Sequence, residues 1–320
     1  MGGAGDEDPP DGQRRLVRTT PQRTEQLSLP AELGEDDGFR VEGTSRDGTV
    51  YLSTGNDAEQ ALWSLRDRRW APVITPGSLS AGHAGDGGPA LDATTELLVG
   101  FDVGPDGTVY LLEPHAVRAI TSDGLIRTVA GSDRSDQPPD ADPFARWGAA
   151  GLPDVTPDPR PLPTDPVDAA STPLPRLTAM DVDQDGTIWL ASHDAVLRLD
   201  RDGSVRVHAD ATTTSPTTPA AALVGRRGSS SSISSLRAHD GVLDLIDSWS
   251  GRILRLQNQQ LTLLTGPTTD QRDFPAPQLG QLVPLTNLRA REFVPGDAPQ
   301  PLIAAGGGAI IALPATNTTS

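Results

Sequence analysis

Ten residues recur without a gap: Asp102-Val103-Gly104-Pro105-Asp106-Gly107-Thr108-Val109-Tyr110-Leu111 reappears as Asp181-Val182-Asp183-Gln184-Asp185-Gly186-Thr187-Ile188-Trp189-Leu190. A recurrence of this kind constrains the fold more than any single residue, because a chain built from similar units must stack them to bury a core. In each copy an apolar segment runs into Asp-Gly and a second apolar segment follows at once. Asp-Gly supplies the positive φ that a tight hairpin needs, so each copy is an antiparallel strand pair. The second strands, Val109-Tyr110-Leu111-Leu112 and Ile188-Trp189-Leu190-Ala191, are apolar throughout and do not alternate with polar residues. Both of their faces must therefore be covered, as in a sheet held between two neighbouring sheets.

A third strand follows in Ala116 to Ile120 and in Ala195 to Leu199, then a second Asp-Gly at Asp123-Gly124 or Asp202-Gly203, then a fourth strand, Ile126 to Ala130 or Val205 to Ala209. Four strands in a meander make one propeller blade. The units predicted over the chain are 37–75, 97–131, 177–209, 233–266 and a degenerate 289–313. The glycines of their first Asp-Gly turns, Gly48, Gly107, Gly186 and Gly241, are spaced by 59, 79 and 55 residues. These exceed the roughly 40 to 50 residues of common propeller repeats, and the excess falls in the connections between blades. Five blades are visible, and six is the alternative count. The last unit lacks a fourth strand, so residues 14–19, with Arg15-Leu16-Val17-Arg18-Thr19, are expected to close the ring by pairing with it, which would remove an exposed edge. A Pro-rich insertion (132–175) and a polar tail (314–320) complete one all-β domain.

The stretch from Ala81-Gly82-His83-Ala84-Gly85-Asp86-Gly87-Gly88-Pro89-Ala90 through Gly100 to Leu111 and on to Ile126-Arg127-Thr128-Val129-Ala130-Gly131 resembles one NHL-type β-propeller repeat. The resemblance is strong over 81–131 and 177–209, covers most of 37–313, and weakens outward. It implies a propeller usually closed with six blades. Its implied roles include interaction scaffolds and the extracytoplasmic sensors of bacterial Ser/Thr kinases, and related propellers include lyases and lactonases with central metal sites.

Composition narrows the partners. The formal charge is −17 and every basic residue is Arg. Such a surface repels phosphate backbones and anionic lipid heads, which argues against nucleic acid and membrane surfaces. Without Cys, disulfides, thiol nucleophiles and thiolate metal sites are excluded. No segment reaches the roughly 20 apolar residues of a membrane helix, and the N-terminus carries no signal-peptide pattern.

In a meandering blade, the connections between strands two and three share a rim with those leading to the next blade, opposite the Asp-Gly turns. That rim should collect the long insertions, Pro76–Glu96, Ser132–Pro175, Asp210–Ser232 and Pro267–Asn287. Variable loops on a rigid scaffold are where binding commonly resides. Trp249 and Arg252, with Asp247, are the expected contact residues there, since Trp and Arg are favoured hot-spot types; Trp147 in the Pro-rich insertion is a further candidate. The expected function is a non-catalytic binding or scaffold propeller recognising a protein, peptide or glycan through the loop-rich rim, with no cofactor and no metal.

The alternative is a metal-assisted lyase or lactonase at the channel, using His115 and His193 with Glu113 and Asp194, since a His beside a carboxylate can be a ligand or general base. The innermost segments Val99-Gly100-Phe101, Thr178-Ala179-Met180 and Ser234-Ser235-Leu236 offer such a site almost no ligands. Asp181-x-Asp183-x-Asp185-Gly186 matches the first half of a calcium loop, but Ser192 stands where the bidentate Glu is required, and the hairpin accounts for the same residues. Gly85-Asp86-Gly87-Gly88-Pro89 could offer amides to an anion, yet its place in the repeat makes it an inter-blade connection.

Overall fold

The computed structural model describes residues 16–20, 23–30, 39–45, 48–54, 61–75, 84–95, 98–131, 162–192, 195–210, 215–216, 233–247, 252–265, 290–293, 302–305 and 309–312. Strands β1 (Leu16–Thr20) and β2 (Arg23–Leu27) form a hairpin. Blade one follows as β3 (Phe39–Thr44), β4 (Val50–Thr54), β5 (Ala61–Arg66) and β6 (Arg69–Ile74). Blade two is β7 (Gly100–Val103), β8 (Val109–Leu112), β9 (Val117–Ile120) and β10 (Ile126–Ala130). A short β11 (Val167–Asp168) precedes blade three, β12 (Leu177–Val182), β13 (Ile188–Ser192), β14 (Ala195–Leu199) and β15 (Ser204–Asp210). Then come β16 (Ser215–Pro216) and blade four, β17 (Ile233–His239), β18 (Val242–Asp247), β19 (Arg252–Gln257) and β20 (Gln260–Thr265). A three-stranded sheet of β21 (Ala290–Phe293), β22 (Leu302–Ala305) and β23 (Ala309–Ala312) ends the series. Among the described residues the single helical turn is a 3₁₀ piece, Ala90–Asp92.

Every blade is an antiparallel meander, and the first strands β7, β12, β17 and β21 pack successively side by side, the arrangement of a β-propeller. The Asp-Gly signal produces the same turn three times. Gly48, Gly107 and Gly186 take φ of 82°, 83° and 84°, and their N–H groups donate to Ser45, Gly104 and Asp183 carbonyls at 2.9 Å. Blade four shortens this to a two-residue turn, with Asp240 and Gly241 both at positive φ.

The cores lie between blades. On β13, Ile188 and Leu190 face blade two, in a cluster with Leu112 and Val117. Their alternate neighbours Trp189 and Ala191 face blade four, with Leu243 and Leu254. Tyr51 and Leu62 of blade one likewise pack on Leu111 and Ile126 of blade two. Strand side chains alternate in direction, so a strand apolar at every position fills two interfaces at once. Each outer strand carries a bulge against its neighbour, as between Thr128 and Ala130 or Leu62 and Trp63. Bulges of this kind sharpen the strand twist.

The connections between blades differ from the sequence expectation. Their described parts do not gather on the rim opposite the Asp-Gly turns; they run along the outer strand of the next blade. Pro89 bridges Leu125, Val167 and Asp168 pair with Val205 and Ser204, and Ser215 and Pro216 pair with Gln260 and Leu261. Buried Ala90 and Ala169 donate equivalent hydrogen bonds to the Gly124 and Gly203 carbonyls, at 2.9 and 2.8 Å. The physical reason is the unpaired edge that every outer strand presents. The passing chain satisfies part of it.

The N-terminal strand also finds a different partner. Leu16–Thr20 pairs with Arg23–Leu27, and no ladder joins it to β21–β23 among the described residues. The hairpin lies on the face of blade one that blade two leaves open: Leu16, Leu27 and Leu29 cluster with Leu52, Ala61 and Trp63, and Trp70 Nε1 donates to the Ser28 carbonyl at 2.7 Å. Deleting residues 1–27 should expose that face and lower the melting temperature by several degrees, since burying one leucine-sized side chain contributes about 1.5–3 kcal/mol. A thermal scan indistinguishable from that of the full chain would reject this covering role.

Candidate functional site

Two regions carry the chemistry: the wall of inner strands and the rim of the strand two to three connections. At the rim, one position repeats. Thr54, Ser192 and Asp247 end the second strand of a blade, Glu113 directly follows it, and all four are buried. Each closes the base of a connection. Trp63 Nε1 donates to Thr54 Oγ1 at 3.2 Å, Ser192 Oγ donates to the Ala195 carbonyl at 3.2 Å, the Glu113 N–H donates to the Ala116 carbonyl at 2.9 Å, and Asp247 stands directly across from Arg252.

Glu113 is fully buried, with its carboxylate 3.9 Å from the guanidinium of Arg118, which is itself 0 % exposed. Arg118 occupies the β9 position that holds Leu197 in blade three and Leu254 in blade four. Its Nη1 donates to the Thr94 carbonyl at 2.6 Å, and its Nη2 meets Asp86 at 2.6 Å. Asp86 also accepts the Thr128 N–H at 2.8 Å. Burial works to raise the Asp86 carboxyl, but the Thr128 amide and Arg118 outweigh it and hold the group below the ordinary value. The Gly85–Pro89 segment is thus tied down as a connection: its Gly87 and Gly88 amides donate to the Ile126 and Gly85 carbonyls.

His115 sits half-buried in the same connection as Glu113, and its carbonyl abuts Gly131 so closely that a Cβ there would collide with it. His193, Asp194, Trp249 and Trp147 lie outside the described residues. Asp247 and Arg252, the expected contact residues beside Trp249, are 1 % and 3 % exposed. Asp247 ends β18 and Arg252 opens β19, on either side of residues 248–251. Among the described residues no three His, Asp or Glu side chains gather as a metal site.

The inner strands hold the residues that sequence reasoning missed. The segments ending at Phe101, Met180 and Leu236 stop one residue short of Asp102, Asp181 and Arg237, which occupy one equivalent position in three blades. The Val182 N–H donates to Asp102 Oδ2 at 2.6 Å, and the Ala238 N–H donates to Asp181 Oδ2 at 2.8 Å. Each carboxylate therefore fastens its blade to the inner strand of the next. Blade four ends this pattern with Arg237. The signal was present in the repeat, since both aspartates stand five residues before the turn glycine. Asp183 Oδ1 accepts the Gln184 N–H and Asp185 Oδ1 the Thr187 N–H, at 2.7 and 2.8 Å, so the half calcium motif is spent on the hairpin and this fastening.

No family model matches the chain, and no curated protein matches it in sequence. Solved structures of similar outline include virginiamycin B lyase from Staphylococcus aureus, at 14 % identity over 93 % of this chain and 76 % of that one, with a TM-score of 0.40. YCF48 bound to the D1 peptide gives 11 % identity over 93 % and 72 %, with a TM-score of 0.46. PorZ, a surface component of the type-IX secretion system of Porphyromonas gingivalis, gives 10 % over 88 % and 28 %, with a TM-score of 0.37. At these values it is the sheet order and registers above that define the fold. Among the described residues no helix is long and apolar enough to cross a membrane.

Burial, and next the Asp102 carboxylate beside it, push Asp181 well above its ordinary value of 3.8. A raised carboxyl contributes stability that is complete below 3.8 and is lost as pH rises through the folded-state value. Asp181→Asn keeps an acceptor for the Ala238 N–H and cannot ionise. Its melting temperature relative to the parent should therefore climb as pH rises above about 4. Asp181→Ala strands that N–H and should cost about 1–3 kcal/mol across the range. A difference between the Asn variant and the parent that does not change with pH would contradict the repulsion.

Proposed function

We infer that the protein is a non-catalytic binding propeller of the NHL type that takes a protein, peptide or glycan at the rim of the strand two to three connections. The observation that supports this reading is the internal use of that rim's polar groups. Glu113 is committed to buried Arg118, Asp247 stands buried across from Arg252, and Ser192 bonds Ala195. Groups so committed are not available to a ligand, and this reading gives recognition to the residues of the connections themselves. Trp249, in the loop that Asp247 and Arg252 anchor, is the proposed contact, with Trp147 as a second. The resemblance of 81–131 to an NHL repeat supports the same class.

A peptide library selected on the immobilised protein supplies a ligand with which to test this. Trp249→Ala should weaken the selected peptide by about 2 kcal/mol or more, as expected for a buried anchor. Asp123→Asn, on the Asp-Gly rim, should leave affinity unchanged. Equal effects of the two in folded protein would place binding on the other face. Incubation with EDTA should leave the thermal transition where it is, and a large fall would favour a metal-dependent enzyme instead.

A further inference from the structure

Between blades two and three, on the Asp-Gly rim and away from the rim just discussed, lies a cleft of about 420 Å³. That volume is within the range of small-ligand pockets. Blade two contributes Tyr110 and Arg127, and blade three contributes Arg201, with Ile188 and Leu199 as apolar wall. Four carboxylates also line it, and each already has a partner. Asp106 accepts the Thr108 N–H at 3.0 Å, Asp168 the Ser171 N–H at 3.1 Å, and Asp202 the Ser204 N–H at 2.9 Å, while Asp200 pairs with Arg198 at 2.7 Å.

The two guanidiniums stand apart from this. Neither Arg127 nor Arg201 makes a hydrogen bond or ion pair to another described residue, in a chain whose formal charge is −17. Arg201 is laid across the Cβ-free face of Gly186, where a Cβ would meet its Nε at 3.1 Å. Both cations act electrostatically on the half-buried Tyr110 phenol. Burial and Asp106 hold that phenol above its ordinary value of 10.0, so it keeps its proton and remains a donor. Two cations and a hydroxyl thus line the cleft from two blades; the hydroxyl has Thr108 as a hydrogen-bond partner, while neither guanidinium has a hydrogen bond or ion pair among the described residues.

We propose that this cleft binds the carboxylate of a small monocarboxylic ligand, an amino acid or the C-terminal end of a peptide, through Arg127, Arg201 and Tyr110. Planar guanidiniums match a carboxylate with paired N–H donors. The four aspartates set the charge limit: they repel a multiply charged anion such as phosphate, and they tolerate one carboxylate held on the cationic side. Ile188 and Leu199 favour an apolar side chain on the ligand.

The test is calorimetric titration of the full chain with N-acetyl-leucine, its neutral amide, free leucine, leucyl-leucine and inorganic phosphate. N-acetyl-leucine should bind saturably and the amide about tenfold more weakly or less well still. The Arg127→Gln/Arg201→Gln variant should lose the same factor at an unchanged melting temperature. Leucine binding tighter than leucyl-leucine assigns the site to free amino acids, and the reverse order assigns it to peptide ends. Absence of saturable binding by every carboxylate, equal binding of acid and amide, phosphate as the tightest probe, or full affinity in the double variant would each overturn the proposal. None of these outcomes bears on Trp249 or its rim.

Discussion

A four-stranded sheet whose middle strands are apolar on both faces has no stable existence alone in water, and everything else in this molecule follows from that constraint. Ile188 and Leu190 require blade two, and Trp189 and Ala191 require blade four. Truncating one such leucine to alanine would cost about 2–5 kcal/mol, a large part of the stability of an ordinary domain. The blades consequently hold one another, and the N-terminal hairpin covers the open face of blade one for the same reason.

Apolar packing is non-directional, so it fixes that blades stack but not their register. Directional bonds supply the register. The amides of Val182 and Ala238 reach back to Asp102 and Asp181, and the connections add a single bridge at Leu125 of blade two and short ladders to the outer strands of blades three and four. The inner bonds place like charges close together, at a cost that shows in the raised Asp181 carboxyl. A backbone amide cannot be left unpaired between blades, and the carboxylate position repeats because that need repeats.

The two rims have different chemistry as a result. On one, polar residues at the strand ends are turned inward to hold the connections, as Glu113 does with Arg118. On the other, the turns present Asp106 and Arg201 toward a cleft, with the carboxylates bonded and two guanidiniums that have no hydrogen bond or ion pair among the described residues. Geometry there depends on two blades at once, since Arg127 and Arg201 belong to different sheets.

Much of the fold was legible in the residues themselves. Recurrence of Asp102 to Leu111 as Asp181 to Leu190 marked the hairpins, and the uninterrupted apolar strands announced that both faces are covered, because strand side chains alternate by steric necessity. Asp102 and Asp181 were legible in position but not in role, since the sequence does not say which neighbouring amide a carboxylate will meet. The burial of Arg118, Asp247 and Arg252 was not legible either: charged residues on a rim read as exposed until the chain packed against them is known. The partner of Leu16–Thr20 and the paths of the connections depended on which sheet edges and faces stood open after the blades had stacked. The sequence by itself determined the repeating unit, through local backbone geometry and the period of two; only the tertiary structure decided which groups of different blades meet, because those contacts join residues as far apart as Asp102 and Val182 through packing that no local pattern encodes.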